Sequence, residues 1–291
     1  MSDRYLIINA DDFGICTETN DAIEHLFREG KITSTTVMVC AGEGRDAVSR
    51  ASKDNRIRMG LHATFNSDFM QEKWRGIAPG NIIPSLLDDD GSFHVDRDVF
   101  YKNAKEQEIA IELEAQYDFI KDMGYQPTHI DSHCGTLYGL TGRSFLKEAF
   151  VICLRKGLPF RFPKSKKYLT AMFQGNIPDQ IDQAHTMAVS YAKELGVALP
   201  VDIVTNPFSI RDISSYEQLK NFYLNAVRNT EEGVTELFMH PSGENSTYSF
   251  ITPEWQKRIW EYRFLLDDEL QKVIGQENIK LVSWDNAPFS L

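Results

Sequence analysis

The sequence predicts an α/β fold on a parallel sheet, closed or nearly closed into a barrel. Three observations lead there. Eight short apolar runs recur along the chain, at 4–10, 32–39, 58–65, 127–132, 158–162, 201–205, 235–240 and 279–284. Most of the gaps between them carry apolar residues at helical spacing, and alternating strands and helices imply parallel crossovers. Finally, Asp11-Asp12, His62, His133 and His240 stand at the ends of four of the runs. In a parallel sheet all strand C-terminal ends lie on one face, where ligands and chemistry gather.

Taken in order, Tyr5-Leu6-Ile7-Ile8 makes the first strand. Thr17 is placed to cap a helix through Ala22-Ile23 and Leu26-Phe27, which Gly30 closes. The run 32–39 and Met59-Gly60-Leu61 supply the next two strands. Residues 66–96 then lack clear periodicity, and their attachment just past His62 predicts a long insertion that forms a lid over the site. A long charged helix is expected over 98–123, with Ile109, Leu113, Tyr117 and Ile120 on its apolar stripe. Strands follow at 127–132, 158–162, 201–205 and 235–240. Thr252-Pro253 starts the last long helix, with proline where its missing N–H costs nothing. The run 279–284 completes the count. No repeat or linker divides the chain, so residues 1–291 are expected to form one domain.

Composition narrows the class. The chain is 42% hydrophobic and 25% charged, which is globular. Its net charge of −11 argues against nucleic acid or an anionic membrane as the main partner. Cys16, Cys40, Cys134 and Cys153 form no CxxC pair, which disfavours a disulfide scaffold or zinc knuckle. No apolar run is long enough to span a bilayer, and no leader pattern precedes the first strand. A soluble cytoplasmic protein is expected.

The chemistry rests on a few side chains. Two adjacent carboxylates repel, and a nearby cation relieves that cost. Hydrolysis at a metal uses one carboxylate as ligand and another as general base. Adjacent residues on a regular strand point to opposite faces, so Asp11 and Asp12 serve together only if the chain turns, which Gly14 eases. A solvated pair capping the next helix is the bland alternative. His62 is a candidate ligand or a satisfied core histidine, and Gly60 hints at a close approach to the backbone. His129, Asp131 and His133 share one face of an extended run spanning about 13 Å, too long for a single ion. His133, nearest the strand end, is therefore the expected ligand, with Asp131 and His129 as orienters or contributors to the pocket, since metal-bound imidazoles usually need acceptors behind them. His240, entering a Pro/Gly turn, suits protonation of a leaving group, or is a structural turn histidine. Arg143 and Arg161 are candidates for a polar or anionic substrate group, or plain ion-pair partners. Trp74 and Tyr138 are candidates to stack on a sugar.

These segments resemble the YdjC-like carbohydrate deacetylase family, whose members include chitooligosaccharide deacetylases. The likeness lies in Asn9-Ala10-Asp11-Asp12-Phe13-Gly14, Gly60-Leu61-His62, Thr128-His129-Ile130-Asp131-Ser132-His133 and Thr235-Glu236-Leu237-Phe238-Met239-His240-Pro241. It implies a distorted TIM-like (β/α) barrel, a homodimer, and one divalent ion held by Asp12, His62 and His133. It also implies that Asp11 activates water and that His240 acts on the departing amine. Many relatives continue the third motif as DSHxHxH, whereas this chain reads Asp131-Ser132-His133-Cys134-Gly135-Thr136-Leu137. Cys134 is read as a packing residue, because the scheme needs no nucleophile.

The expected function is metal-dependent removal of an N-acetyl group from an amino sugar or short chitooligosaccharide, phosphorylated or not, with release of acetate. One carboxylate and two imidazoles suit zinc, and with added waters magnesium, manganese or cobalt. A barrel phosphoesterase or other amidohydrolase fits the same ligands. A sugar-binding protein with an inert metal site would have no need of proton-transfer groups.

Overall fold

The computed structural model describes residues 3–139 and 142–290. The chain alternates as expected: β1 (Arg4–Phe13), α1 (Thr17–Arg28), β2 (Ser34–Val37), α2 (Gly44–Lys53) and β3 (Met59–Ala63) come first. After a long connection come α3 (Arg97–Asn103), α4 (Glu106–Asp122), β4 (Ile130–Ser132), α5 (Leu146–Lys156), α6 (Lys167–Met172) and α7 (Asp179–Leu195). The chain continues through β5 (Asp202–Val204), α8 (Tyr216–Arg228), β6 (Gly233–Met239), α9 (Ser246–Ile251), α10 (Trp255–Leu266), α11 (Asp268–Gln276) and β7 (Lys280–Leu281).

The strands form one parallel sheet in the order β4-β3-β2-β1-β6-β5, with β7 paired to the start of β1. It curls into a half-barrel. Residues 159–165 span the open side. Ile130 N–H donates to the Pro159 carbonyl and Arg161 N–H to the Ile130 carbonyl, while Phe160 and Ser165 donate to Ala198 and Val201 ahead of β5. The run expected as a strand at 158–162 is thus reduced to a single bridge, Ile130 to Phe160. Pro159 and Pro163 remove donors that a full ladder needs. Helix α1 begins at Thr17, but its cap position is Cys16, which supplies no side-chain cap bond. The helix expected over 98–123 breaks between α3 and α4, where the Lys105 N–H donates to Ser85 Oγ.

Residues 64–96 contain only one 3₁₀ turn, Pro84–Leu86, and two isolated bridges. They are nonetheless packed: Phe65, Trp74, Ile83, Leu86 and Phe93 are buried. A segment with so little ladder must satisfy its N–H groups elsewhere. Helix α4 does this with buried carboxylates. Glu112 accepts from the N–H groups of Ile77 and Ala78, both at 2.9 Å, and Glu108 accepts from Ser85 N–H and Oγ.

Gly60 shows why β3 needs a glycine. A Cβ there would lie 2.4 Å from the His129 ring, which itself stacks on Trp284 with ring centroids 4.3 Å apart. Gly60→Ala is expected to destabilise the protein by about 1–3 kcal/mol through overpacking. Urea unfolding checks this, and an unchanged midpoint would refute the contact.

Candidate active site

Both aspartates reach one pocket because β1 is irregular at its end. The β1–β2 register shifts between Ala10 and Phe13, and Asp12 takes φ 65, in the left-handed region. Such a conformation costs a non-glycine residue about 1–2 kcal/mol and persists where surrounding structure enforces it. The chain thus turns at the aspartate pair, as their joint use requires, and Gly14 follows with φ 106.

Asp12 Oδ1 lies 3.2 Å from His62 Nε2 and 3.3 Å from His133 Nδ1. It is buried and has no hydrogen-bond partner among the described residues, whereas Oδ2 accepts from Arg258 Nη2 at 2.6 Å. Each imidazole is backed by a carboxylate: His62 Nδ1 contacts Asp131 Oδ1 at 2.6 Å, and His133 Nε2 contacts Asp68 Oδ1 at 2.8 Å. A carboxylate behind each ring fixes its tautomer and turns the other nitrogen's lone pair forward. Ligand atoms from Asp12, His62 and His133 all fall within 4.8 Å of one another. The orphaned oxygen and the two backed imidazoles fit one divalent cation. Without a cation, burial disfavours a charged His62, yet Asp131, Asp11 and Asp12 outweigh it and push the ring up to about 10. Asp131→Asn should weaken metal binding by about 10–100-fold. Equilibrium titration measures this, and unchanged affinity would remove Asp131 from the orienting role.

Asp11 is held from behind. Arg161 Nη1 and Nη2 grip its two oxygens at 2.7 and 2.8 Å, and Asn9 Nδ2 donates to Oδ1 at 2.7 Å. The same guanidinium contacts Asp131 Oδ2 at 2.7 Å and Glu236 Oε2 at 2.5 Å. Burial works to raise Asp11, but Arg161 outweighs it and holds the carboxyl well below its ordinary value. Glu236 goes the other way: burial pushes it up to about 7 against the pull of Arg161. Oδ2 of Asp11 faces the pocket, 3.9 Å from His240 Nε2 and 4.0 Å from His62 Nε2. His240 is one-third exposed. Burial lowers its pKa despite Asp12 and Asp11 nearby.

Several expectations need correction. Arg161 lines the cavity, but its guanidinium is taken up by Asp11, Asp131 and Glu236, which is the ion-pair alternative. Arg143 is at the surface, paired with Glu106 and placed over the Phe145 ring, outside the cavity lining. Trp74 is buried with its edge toward His133, ring centroids 5.6 Å apart, so it supports the ligand and cannot stack on a sugar. His129 is wholly buried between Gly60 and Trp284, away from the ligand set. Cys134 is exposed rather than packed. Tyr138 does line the cavity, of about 260 Å³, along with Asp11, Asp12, His62, His133, Arg161, His240 and Arg258.

Three residues escaped the sequence reading. Asp68 and Arg258 lie in a loop and a helix with nothing local to mark them. Glu236 left a signal, since a carboxylate inside the apolar run of β6 demands a buried partner.

The YdjC-like protein family model matches residues 5–276. The chain belongs to the YdjC-like family. A carbohydrate deacetylase from Enterococcus faecalis is 25% identical over 292 positions, covering 98% of this chain and 99% of the relative. A chitooligosaccharide deacetylase from Yersinia enterocolitica is 27% identical over 229 positions, 72% of this chain and 84% of the relative. In three dimensions this YdjC-like chain is similar to a "putative cellobiose-phosphate cleavage protein" from Enterococcus faecalis V583. That match has a TM-score of 0.78 and 24% identity, with 98% of both chains covered, and it supports the curled-barrel architecture.

Proposed function

We propose that the protein is a metal-dependent hydrolase that removes the N-acetyl group of an amino sugar or short chitooligosaccharide. The observation that carries this is the unpartnered Asp12 oxygen facing two backed imidazoles, with a second carboxylate alongside. The names of the relatives from Enterococcus and Yersinia support the choice of substrate and reaction.

Asp12, His62 and His133 would hold the ion, which could be magnesium, zinc, manganese or cobalt; such an ion polarises an acyl oxygen and makes water more acidic. Asp11 accepts the proton of the attacking water through Oδ2. The Arg161 fork keeps that carboxylate ionised and fixes its direction, so little reorganisation accompanies the transfer. His240 lines the same cavity, with Nε2 3.9 Å from Asp11 Oδ2. The proton that Asp11 takes from water can pass to His240, and a ring of lowered pKa, once protonated, is a strong donor to the departing nitrogen. Water oxygen joins the acyl carbon, the C–N bond breaks, and one proton of that water ends on the amine. Acetate and the free amino sugar are the products.

Asp68 lines the cavity, and on that support we assign residues 66–96, the segment that carries it, to covering the sugar. Arg258 Nη1 is buried without a partner among the described residues, which favours an anionic substituent and brings phosphorylated sugars into the substrate panel. Free thiols at all four cysteines suit a cytoplasmic setting. A single working domain and a homodimer complete the reading, which light scattering on the intact chain tests.

The decisive experiment is acetate release from N-acetylglucosamine, its oligomers and their phosphates. Chelator-stripped protein should be inactive and recover with a divalent ion. Phosphate release in place of acetate would make it a phosphoesterase. Inertness toward the whole panel would leave only a binding role.

A further inference from the structure

Behind His133, on the side away from Asp12, lies a second donor set that reaches the surface through Cys134. Cys134 sits in the turn after β4 at φ 51 and is exposed. Its Sγ lies 3.4 Å from Asp68 Oδ1 and 3.4 Å from His133 Nε2, and those two atoms are 2.8 Å apart. Thiol, carboxylate and imidazole thus converge from two distant segments. Zinc bonds of about 2.0–2.3 Å in a tetrahedron put ligand atoms roughly 3.4–3.7 Å apart. Two of the three separations already meet that, and the third opens once no proton bridges Asp68 to His133.

We propose that Asp68, Cys134 and His133 Nε2 form a second, inhibitory site for a soft divalent ion such as zinc or cadmium. Thiolate ligation selects such ions over magnesium or manganese. On binding, the Cys134 thiol and the His133 Nε2–H each release a proton to solvent, and the imidazole ring then bridges the two sites. No electron transfer is involved. The inhibition follows from geometry. Asp68 is the carboxylate that orients His133, so an ion that captures Asp68 removes this support from the inner ligand. The inhibitory consequence rests on the deacetylase reading, whereas the binding site does not.

The test is cadmium titration of the intact, metal-free protein, followed by equilibrium dialysis and by the ultraviolet thiolate-to-cadmium absorption. Wild type should bind two ions per chain, one of them with the thiolate band. Cys134→Ser should bind one ion without the band, and Asp68→Asn should weaken the second ion by about tenfold or more. Cys40→Ser should behave as wild type. Absence of the band in wild type, or a second ion retained in Cys134→Ser, would overturn the site. Excess zinc should lower wild-type acetate release about tenfold, while Cys134→Ser keeps its own activity at one zinc per chain. A bound second ion with no loss of turnover would refute the inhibitory role. Inactivity with every metal would instead count against the deacetylase reading, and the cadmium data would still decide the site.

Discussion

Asp11→Asn should lower kcat for acetate release by about 10²–10⁴-fold, the range that a lost general base typically costs, while a divalent ion still binds. Asparagine keeps the shape of aspartate but cannot take a proton from water. The ligand set is spared, since Asp12, His62 and His133 make none of their mutual contacts through Asp11. Arg161 retains Glu236 and Asp131, so the fold should survive. Steady-state kinetics together with metal analysis on the same sample separate the outcomes. Activity within tenfold of wild type would exclude Asp11 as the base. Loss of the metal would mean that Asp11 belongs to the ligand set, and the division of labour within the pair would fall.

Arg161→Met should be the most destabilising single change at the site, by about 3–5 kcal/mol near neutral pH, because it strands buried carboxylates without their cation. The pH dependence gives the sharper signature. In wild type the pKa of Asp11 is depressed, so its stabilising contribution is present above its ordinary value and fades only as pH falls through the lower one. With the guanidinium gone, burial dominates and raises Asp11. Glu236, already near 7, rises further. Raised carboxyls destabilise the fold at high pH and relax as they protonate, so the variant should gain stability between about pH 8 and about pH 6. Urea unfolding at both pH values reads this. A variant as stable as wild type, or one that weakens on acidification, would refute the view that Arg161 neutralises this cluster. Arg161→Lys should rescue only part of the loss, since an ammonium cannot reproduce the fork to Asp11.

The two predictions probe different layers of one arrangement. In the proposed reaction Asp11 would act on the reacting atoms, whereas Arg161 would act by holding Asp11 and neutralising the carboxylates around it. Glu236 and Asp131 hold Arg161 in turn, and the Trp284 indole N–H donates to Glu236 at 3.0 Å. Residues from β1, β4, β6 and the chain after β7 thereby share one buried charge network.

Sequence alone determined the alternation of strands and helices, the parallel sheet, and the gathering of Asp11, Asp12, His62, His133 and His240 at one end. Those features follow from local periodicity and from the rule that parallel strands point their C-terminal ends one way. The choice of His133 over His129 also came from spacing along a strand. Only the tertiary structure decided the rest. It turned Asp12 through a left-handed residue so that neighbouring carboxylates share a pocket, and it tied Arg161 to three buried carboxylates. It also placed Asp68 and Arg258, from a loop and a helix, against His133 and Asp12, which lie 65 and 246 residues away in sequence. Periodicity cannot anticipate such contacts. They depend on which side chains meet when separate elements pack, and on which buried charges must then find partners.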